Sequence, residues 1–400
     1  MESVELFAGA GGLAMGMALA GFHHRAIVER DRWACDSVRE NKRRVLADPA
    51  LEAIAFLRGW PEPFQGDVRE FNYSGLSGEI DLVSGGPPCQ PFSVGGKHKG
   101  FRDDRDMFPE AARAVRELVP KAFIFENVRG LLRPAFSEYF EYVLLRLTYP
   151  ELTKKDGEEW KEHLSRLERH HTRGTDKGLV YNVAFRVVNA ADYGVPQSRA
   201  RVILVGFRAD LAVEWNFPDP KHTQARLVWD KWVSGEYFDA HKVAKKHRGE
   251  PSKREGSILR RLKRTGECPV DQRWRTVRDA LSGLPDPEVK PRLASRHHNH
   301  RFQPGARSYP GHTGSPWDRP AKTLKAGVHG VPGGENMLAR PDGSVRYFSV
   351  REAGRLQTFP DDYVLEGAWS EAMRQLGNAV PVRLGEVIAS SVADALSGTK

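Results

Sequence analysis

Short apolar runs alternate with amphipathic stretches along the first 130 residues of the chain. The apolar runs are SVELF (3–7), RAIVE (25–29), IDLVSGG (80–86) and KAFIFENV (121–128). Helical patterns fill the intervals 12–20, 32–46 and about 106–118. Buried strands that alternate with helices are typical of a parallel sheet covered on both faces. The pattern therefore predicts an α/β fold with a Rossmann-like, mostly parallel sheet.

The alternation resumes further along the chain and then stops. YNVAFRVV (181–188) and RVILVGF (201–207) are predicted strands, and the charged stretch 150–178 is a predicted helical insertion. After residue 217 the chain becomes basic and rich in Pro and Gly, which indicates a domain boundary. Near the C-terminus, apolar residues from Leu384 to Leu396 share one helical face. We predict domains at 1–217 and 218–370, and a segment 371–400 that returns to the first domain.

The composition is that of a soluble globular protein. Of the 400 residues, 40% are hydrophobic and 28% charged, and no run of about 18 apolar residues predicts a membrane span. The N-terminus MESVELFAGAGG lacks the pattern of a signal peptide. The three cysteines, Cys35, Cys89 and Cys268, are widely spaced, which argues against a disulfide framework. These features predict a cytoplasmic location.

The positive charge is concentrated in one segment. The whole chain has a net charge of +9, but residues 241–330 contain 21 Lys and Arg against 8 Asp and Glu, a net of +13. The rest of the chain is therefore at −4. Such a segment indicates a phosphate-binding surface. A solvated charged stretch is the alternative, although the segment also holds the aromatic residues Trp274, Phe302, Tyr309 and Trp317.

A glycine-rich turn follows the first predicted strand. GAGGLA (9–14) matches the pattern G-x-G-x-x-G/A, and Glu29 lies about 20 residues further on. This arrangement suits a dinucleotide or S-adenosylmethionine, whose ribose hydroxyls a carboxylate can bind. A turn that serves packing alone remains the alternative.

Cys89 lies in the segment SGGPPCQPFSVGG (84–96), which neither a helix nor a central strand can accommodate. A nucleophilic thiolate needs such a partly exposed, polar setting, whereas a small buried thiol is the alternative. Glu126 ends a buried strand at the same predicted sheet edge and is a candidate proton donor. For Glu126, a surface acid or a helix cap is the alternative.

Five motifs together resemble the ordered motif set of DNA (cytosine-5)-methyltransferases of bacterial restriction–modification type. They are FAGAGG (7–12), GGPPCQPFS (85–93), ENV (126–128), QSRARV (197–202) and QLGNAVP (375–381). The resemblance extends from residue 4 to about 390, apart from the insertion and most of the basic segment. It implies methyl transfer from S-adenosylmethionine to carbon 5 of a cytosine flipped out of a specific duplex DNA sequence.

The resemblance assigns roles to residues of the reaction site. Cys89 would add to carbon 6 of the cytosine, and Glu126 would bind its N3 and 4-amino group. Arg199 and Arg201 match the family's arginine pair, of which Arg201 would hold the carbonyl O2; phosphate binding or ion pairing is the alternative for both. Glycines after Cys89 (Gly95, Gly96 and Gly100) would let that loop close over DNA.

The resemblance also implies a cofactor site. Its methionine side would comprise Phe7, Ala8, Gly9, Gly11 and Gly12, with Glu29 on the ribose, Asp67 on the adenine amino group, and Asn378 and Ala379 completing the pocket. Arg30 stands where the family often has an aromatic residue, so adenine stacking is left open, with Trp33 as one candidate.

The implied organisation is a catalytic domain at 1–217 and a target-recognition domain at 218–370. The implied partner is double-stranded DNA, with a possible restriction endonuclease that shares the site, and the protein is expected to be a monomer. HHNH (297–300) has no accompanying cysteine motif, so we expect no metal. Other hypotheses are a tRNA cytosine-5 methyltransferase, a nicotinamide-dependent oxidoreductase, which the glycine turn alone permits, and a DNA-binding protein without activity.

Overall fold

A computed structural model describes residues 1–76, 78–88, 106–174, 178–310, 313–326 and 336–398. Seven strands form the main sheet: β1 (Glu2–Leu6), β2 (His23–Glu29), β3 (Phe64–Gln65), β4 (Leu82–Gly85), β5 (Ala122–Val128), β6 (Tyr181–Asn189) and β7 (Ala200–Arg208). The helices between and beside them are α1 (Gly12–Leu19), α2 (Arg32–Ala47), α3 (Phe108–Leu118), α4 (Ser137–Thr148) and α5 (Trp160–Arg173).

The strand order in this sheet is β3-β2-β1-β4-β5-β7-β6. Neighbours from β3 to β5 are parallel, and β7 runs antiparallel to β5. The prediction of an α/β fold with a mostly parallel sheet is therefore confirmed. Strands β4 and β5 are buried over almost their whole length, as expected of central strands that helices cover on both faces.

The charged insertion is helical over only part of the predicted range 150–178. Helix α5 begins at Trp160, where Glu159 and Glu162 form a capping box, and ends at Arg173. The stretch before it contains Gly157 and has no helix. A reciprocal cap of this kind satisfies the first free N–H groups of a helix, which explains why the helix begins there.

The chain divides into two compact units. Unit one comprises 1–188, 200–218 and 385–400, and unit two comprises 189–199 and 219–384. Compared with the predicted bounds, the segment 189–199 lies with unit two, and the final segment joins unit one from Gly385 onwards.

Unit two is built from short elements. They are β8 (His222–Thr223), α6 (Gln224–Trp232), α7 (Glu236–Ala240), α8 (Lys253–Thr265), β9 (Gln272–Arg273), α9 (Val277–Leu281), α10 (Pro291–Ala294), β10 (Ser315–Pro316), β11 (Met337–Ala339), β12 (Val345–Tyr347), α11 (Val350–Leu356) and α12 (Trp369–Asn378). One of its apolar clusters joins Leu227, Tyr237, Phe238 and Val243. The final helix α13 (Val382–Ser397) leads from unit two into unit one.

Within unit one, α13 packs against α1 with their backbones in contact. A Cβ atom on Gly16 would lie 2.5 Å from the backbone nitrogen of Glu386 and 2.8 Å from Cα of Gly385. Only glycine fits at position 16, because a Cβ there would meet backbone atoms of α13. Backbone atoms cannot move aside as the end of a flexible side chain can. The last helix thereby covers the helix that follows the glycine turn.

Among the described residues, no helix is both long enough and apolar enough to cross a membrane.

We expect Gly16→Ala to destabilise unit one by roughly 1–3 kcal/mol, because the added methyl group overpacks the α1–α13 contact. Gly59→Ala is the matched control, since a Cβ at Gly59 meets no atom within 4 Å. Urea denaturation followed by circular dichroism measures both variants. Equal midpoints for the two variants would contradict the close packing of these helices.

Candidate active site

The strand order of the main sheet reverses between β1 and β4 in unit one. From β1 the chain passes to β2 and β3 on one side, and then returns to β4 and β5 on the other. Parallel sheets bind ligands where the strand order reverses in this way. Leu6 and Gly85 are paired, and a Cβ on Gly85 would lie 2.3 Å from the carbonyl oxygen of Leu6. The loops after the two strands therefore begin side by side.

The glycine turn after β1 has a left-handed backbone. Phe7, Gly9 and Gly11 have φ values of 55°, 54° and 82°. Gly11 precedes the first turn of α1, and a Cβ built on Gly9 meets no atom within 4 Å. This open space lets a ligand approach the backbone closely, and only glycine combines it with a positive φ without strain. Ala8 and Gly12, also predicted for this site, are buried in the turn.

Glu29, the last residue of β2, ties that strand to the glycine turn. Its Oε2 accepts a hydrogen bond from the Gly9 N–H at 2.6 Å, and its Oε1 accepts one from the Asp31 N–H at 2.6 Å. Burial raises the pKa of Glu29 above its ordinary value. A carboxylate has about four lone-pair sites, so Glu29 can still accept a hydroxyl hydrogen bond besides those from backbone N–H groups.

Asp67 follows β3 at the same sheet edge and is held by arginine. Arg69 donates to its two carboxylate oxygens at 2.9 and 2.6 Å, which lowers the pKa of Asp67 to about 2. Arg30, whose side chain is largely exposed, lies 3.8 Å away. Arg30 thus faces a carboxylate and does not take the place of an aromatic ring that could stack on adenine. The guanidinium of Arg32 lies over the ring of Trp33, the other candidate for adenine stacking.

Glu126 and Arg201 form an ion pair in which the carboxylate is buried and the guanidinium is largely buried. The antiparallel pairing of β5 and β7 sets Val128 opposite Arg201, and Arg201 Nε lies 2.6 Å from Glu126 Oε1. A Cβ on Gly86 would lie 3.5 Å from Glu126 Oε2, so the loop after β4 passes beside this carboxylate.

Hydrogen bonds hold both ends of the Cys89 loop, and one of them comes from the residue that follows Glu126. Asn127 Nδ2 donates to the Pro87 carbonyl at 2.9 Å, and the Met107 N–H donates to the Pro88 carbonyl at 3.0 Å. Cys89 itself and the loop that follows it, through residue 105, lie outside the described residues. The described neighbours fix where the chain enters and leaves that loop.

Arg199 lies in unit two and faces backbone oxygens. Its guanidinium donates to the carbonyls of Leu324, Gly377 and Ala379 at 3.0, 2.8 and 3.0 Å, and its side chain is 1% exposed. These contacts favour a positioning role for Arg199. Asn378 is exposed and Ala379 is buried at the end of α12 in the same unit.

Glu5 is a buried acid within the first predicted strand, and its apolar neighbours gave no indication of it. Glu5 is buried on β1, where Ser84 Oγ donates to its carboxylate. Burial raises the pKa of Glu5 to about 8. Ser84 lies on β4, shortly before Pro87, so this pair is close to the entry to the Cys89 loop. A charged residue within an apolar run of the sequence is the signal that could have identified Glu5.

His300 in HHNH (297–300) is held by protein groups. Its Nδ1 contacts Ser349 Oγ at 2.7 Å and its Nε2 contacts the Pro285 carbonyl at 2.7 Å. Burial lowers the pKa of His300. Across the described ranges, no cluster of His, Cys, Asp and Glu has the arrangement of a metal site.

Comparison with known proteins gives one consistent result. The family model described as C-5 cytosine-specific DNA methylase matches residues 1–149 and 152–394. Type II methyltransferase M.NgoMIV of Neisseria gonorrhoeae is 30% identical over 394 residues, which cover 98% of this chain and 97% of the relative. Type II methyltransferase M.PspPI of Psychrobacter sp. is 30% identical over 398 residues, covering 97% of this chain and 78% of the relative.

A solved structure supports the fold. It is described as a putative DNA modification methyltransferase encoded within an Escherichia coli prophage, and it aligns over 99% of both chains with a TM-score of 0.57 at 20% identity.

We expect Glu5→Gln to change how stability depends on pH. In the folded wild type the pKa of Glu5 is about 8, against an ordinary value of 4.5, so folding stability is lost as the pH rises through that interval. The uncharged Gln cannot ionise. The variant should therefore gain stability relative to the wild type between these pH values, and the difference should level off above pH 8.

Urea denaturation at a series of pH values measures this difference. Glu117→Gln on the surface of α3 serves as the control. If the free energy of unfolding changes with pH in the same way for the wild type and Glu5→Gln, the pKa of Glu5 is not raised.

Proposed function

We propose that this chain, which belongs to the family of C-5 cytosine-specific DNA methylases, transfers a methyl group from S-adenosylmethionine to carbon 5 of a flipped-out cytosine in a specific duplex DNA sequence. The observation that carries the proposal is the arrangement at one sheet edge of unit one. The glycine turn with Glu29 and the Glu126–Arg201 pair follow strands whose ends share this edge, and the entry to the Cys89 loop lies beside Glu126. The family match over almost the whole chain supports the same chemistry.

The residues of the glycine turn fit the cofactor. The open space over Gly9 admits the methionine portion, and the remaining acceptor capacity of Glu29 suits a ribose hydroxyl. Asp67 would bind the adenine amino group only by sharing its oxygens with Arg69. When bound, S-adenosylmethionine supplies an electrophilic methyl group on a positively charged sulfur.

The chain's own residues activate the cytosine. The Cys89 thiolate would form a bond from sulfur to carbon 6, and the electron pair of the ring double bond would move so that carbon 5 takes the methyl group. The methyl–sulfur bond would break, and its electron pair would stay with the product S-adenosylhomocysteine. Glu126 binds N3 and the 4-amino group, and Arg201 beside it holds O2. Loss of the carbon 5 proton to a base re-forms the double bond and expels the thiolate of Cys89.

Unit two supplies sequence recognition in this proposal, because it contains the basic segment 241–330. Arginine can read guanine in the major groove, while lysine mainly contacts phosphate. Methylation of a specific sequence would protect DNA from a restriction endonuclease that recognises the same sequence. We propose that the chain acts as a monomer on double-stranded DNA.

Two alternatives explain less. A nicotinamide-dependent oxidoreductase accounts for the glycine turn but not for the family match. A tRNA cytosine-5 methyltransferase shares the reaction, but the named relatives are Type II methyltransferases.

Bisulfite sequencing of DNA from cells that express the protein tests the proposal. We expect methylated cytosines within one short sequence, and none in cells that express Cys89→Ser. Random or absent methylation would contradict it, and tritium transfer to tRNA instead of duplex DNA would favour the alternative.

We expect Cys89→Ser to abolish methyl transfer while S-adenosylmethionine still binds, because the nucleophile is lost and the cofactor residues remain. Glu126→Gln should lower turnover by about 10²–10⁴-fold, as removal of a proton-transferring group does. Tritium transfer to duplex DNA measures turnover, and calorimetry measures binding. Trapping with a fluorinated cytosine should attach the oligonucleotide to Cys89; attachment to Cys35 or Cys268 refutes the assignment.

We expect Glu29→Gln to weaken S-adenosylmethionine binding about 10- to 100-fold, the range for losing hydrogen bonds to a charged group. The amide would also set an N–H donor against the Gly9 or Asp31 N–H. Because burial raises the pKa of Glu29, wild-type affinity should begin to fall with decreasing pH at a higher pH than for an exposed Glu.

Calorimetric titration over a pH series measures both effects. Glu62→Gln, an exposed acid of the same unit, is the matched control. A dissociation constant of Glu29→Gln equal to that of the control contradicts the ribose assignment.

A further inference from the structure

Helix α8 of unit two has two contrasting faces. The inward face carries Glu255 and Leu262, both buried. The outward half carries six exposed cations: Lys253, Arg254, Arg260, Arg261, Lys263 and Arg264. At 3.6 residues per turn these six occupy about half of the circumference, and the helix is about 20 Å long.

The inward face holds the helix firmly. Ser252 and Glu255 form a capping box, and Glu255 Oε1 accepts from Lys231 Nζ of α6 at 2.7 Å. Arg319 donates to the other oxygen of Glu255 at 2.8 Å. The only acid of the helix is therefore occupied inside unit two and neutralises none of the outward cations.

Helices α2 and α3 of unit one pair several of their cations with acids of the same helix. On α2, Arg39 lies 3.3 Å from Asp36 and Arg43 lies 2.7 Å from Glu40. On α3, Arg113 lies 2.7 Å from Glu110. In contrast, within the part of the chain that the structure describes, no ion pair joins any of the six α8 cations to a carboxylate.

Helix stability does not explain this charge pattern. Arg260 and Arg264 are four residues apart, and Arg261 and Arg264 are three apart, so like charges repel on the helix surface. The helix dipole favours cations in the last turn, but it disfavours Lys253 and Arg254 in the first. An arrangement that is unfavourable in the free protein, yet rigidly presented, points to a polyanion that neutralises it.

We propose that the outward face of α8 binds the phosphate backbone of duplex DNA independently of its sequence. The inference rests on the proposed function, and it adds the surface that supplies affinity for duplex DNA of any sequence. Each phosphate contact by a cation releases counterions, so such a surface makes binding steeply salt-dependent.

The test compares three triple variants of the full chain. R260Q/R261Q/R264Q removes three charges and keeps good helix propensity. R260K/R261K/R264K keeps the charge and removes bidentate geometry. R43Q/R169Q/R173Q removes three exposed arginines from unit one as a charge-matched control. Circular dichroism verifies that each variant is folded.

Fluorescence anisotropy with duplexes of unrelated sequence, between about 50 and 200 mM salt, gives the slope of log affinity against log salt. We expect the glutamine triple to reduce this slope by about 1–3, equally for every sequence, because each lost phosphate contact removes about 0.9. The lysine triple should keep the wild-type slope. Saturating DNA should restore the methyl-transfer rate of the glutamine triple.

Two results would overturn this inference and leave the proposed function intact. In the first, the wild type binds and methylates duplex DNA, and the glutamine triple behaves like the unit-one control. In the second, the glutamine triple loses affinity for tRNA but not for duplex DNA. If the wild type neither binds duplex DNA nor methylates it, the proposed function itself fails.

Discussion

The reversed direction of β7 is the constraint on which the site depends. In a parallel sheet, residues at the carboxyl ends of strands share one edge, and residues at the amino ends share the other. Arg201 lies at the amino end of its strand, so only an antiparallel β7 can bring it to the edge where Glu126 lies. The resulting ion pair places a largely buried guanidinium beside a buried carboxylate at this edge.

Close backbone contacts set the remaining geometry. Gly85 lies against the carbonyl of Leu6, and Gly377 of unit two lies so near residue 326 that a Cβ would be 2.2 Å from the Ala326 nitrogen. At both positions a side chain would force two backbone segments apart. The motifs GGPP and LGNA thus contain glycines that fix the spacing of segments, as well as residues proposed to act in the reaction.

The sequence was sufficient for six of the seven strands of the main sheet, for α1 to α3 and α13, and for the class of the sheet, because alternating burial leaves a clear pattern. The sequence also predicted that Glu29 and Glu126 lie at one edge of the sheet, since both end predicted strands. It could not reveal the direction of β7, which has the same apolar pattern in either orientation. Nor could it reveal that carbonyls surround Arg199, because those contacts come from residues more than a hundred positions away. Glu5 was missed because one acid in an apolar run does not alter the pattern.

The cations of residues 241–330 include some that form ion pairs within unit two and some that do not. The net charge of the segment does not distinguish between them. Arg273 and Arg278 pair with Asp279 and Asp318 at 2.6 Å, so they help to hold unit two together. Removing either would leave a partly buried carboxylate without its partner, and the main effect would be on stability. The exposed cations of α8 have no such role in the described structure. A DNA-binding surface in a basic domain is therefore identified by which charges the fold leaves unpaired, rather than by how many it contains.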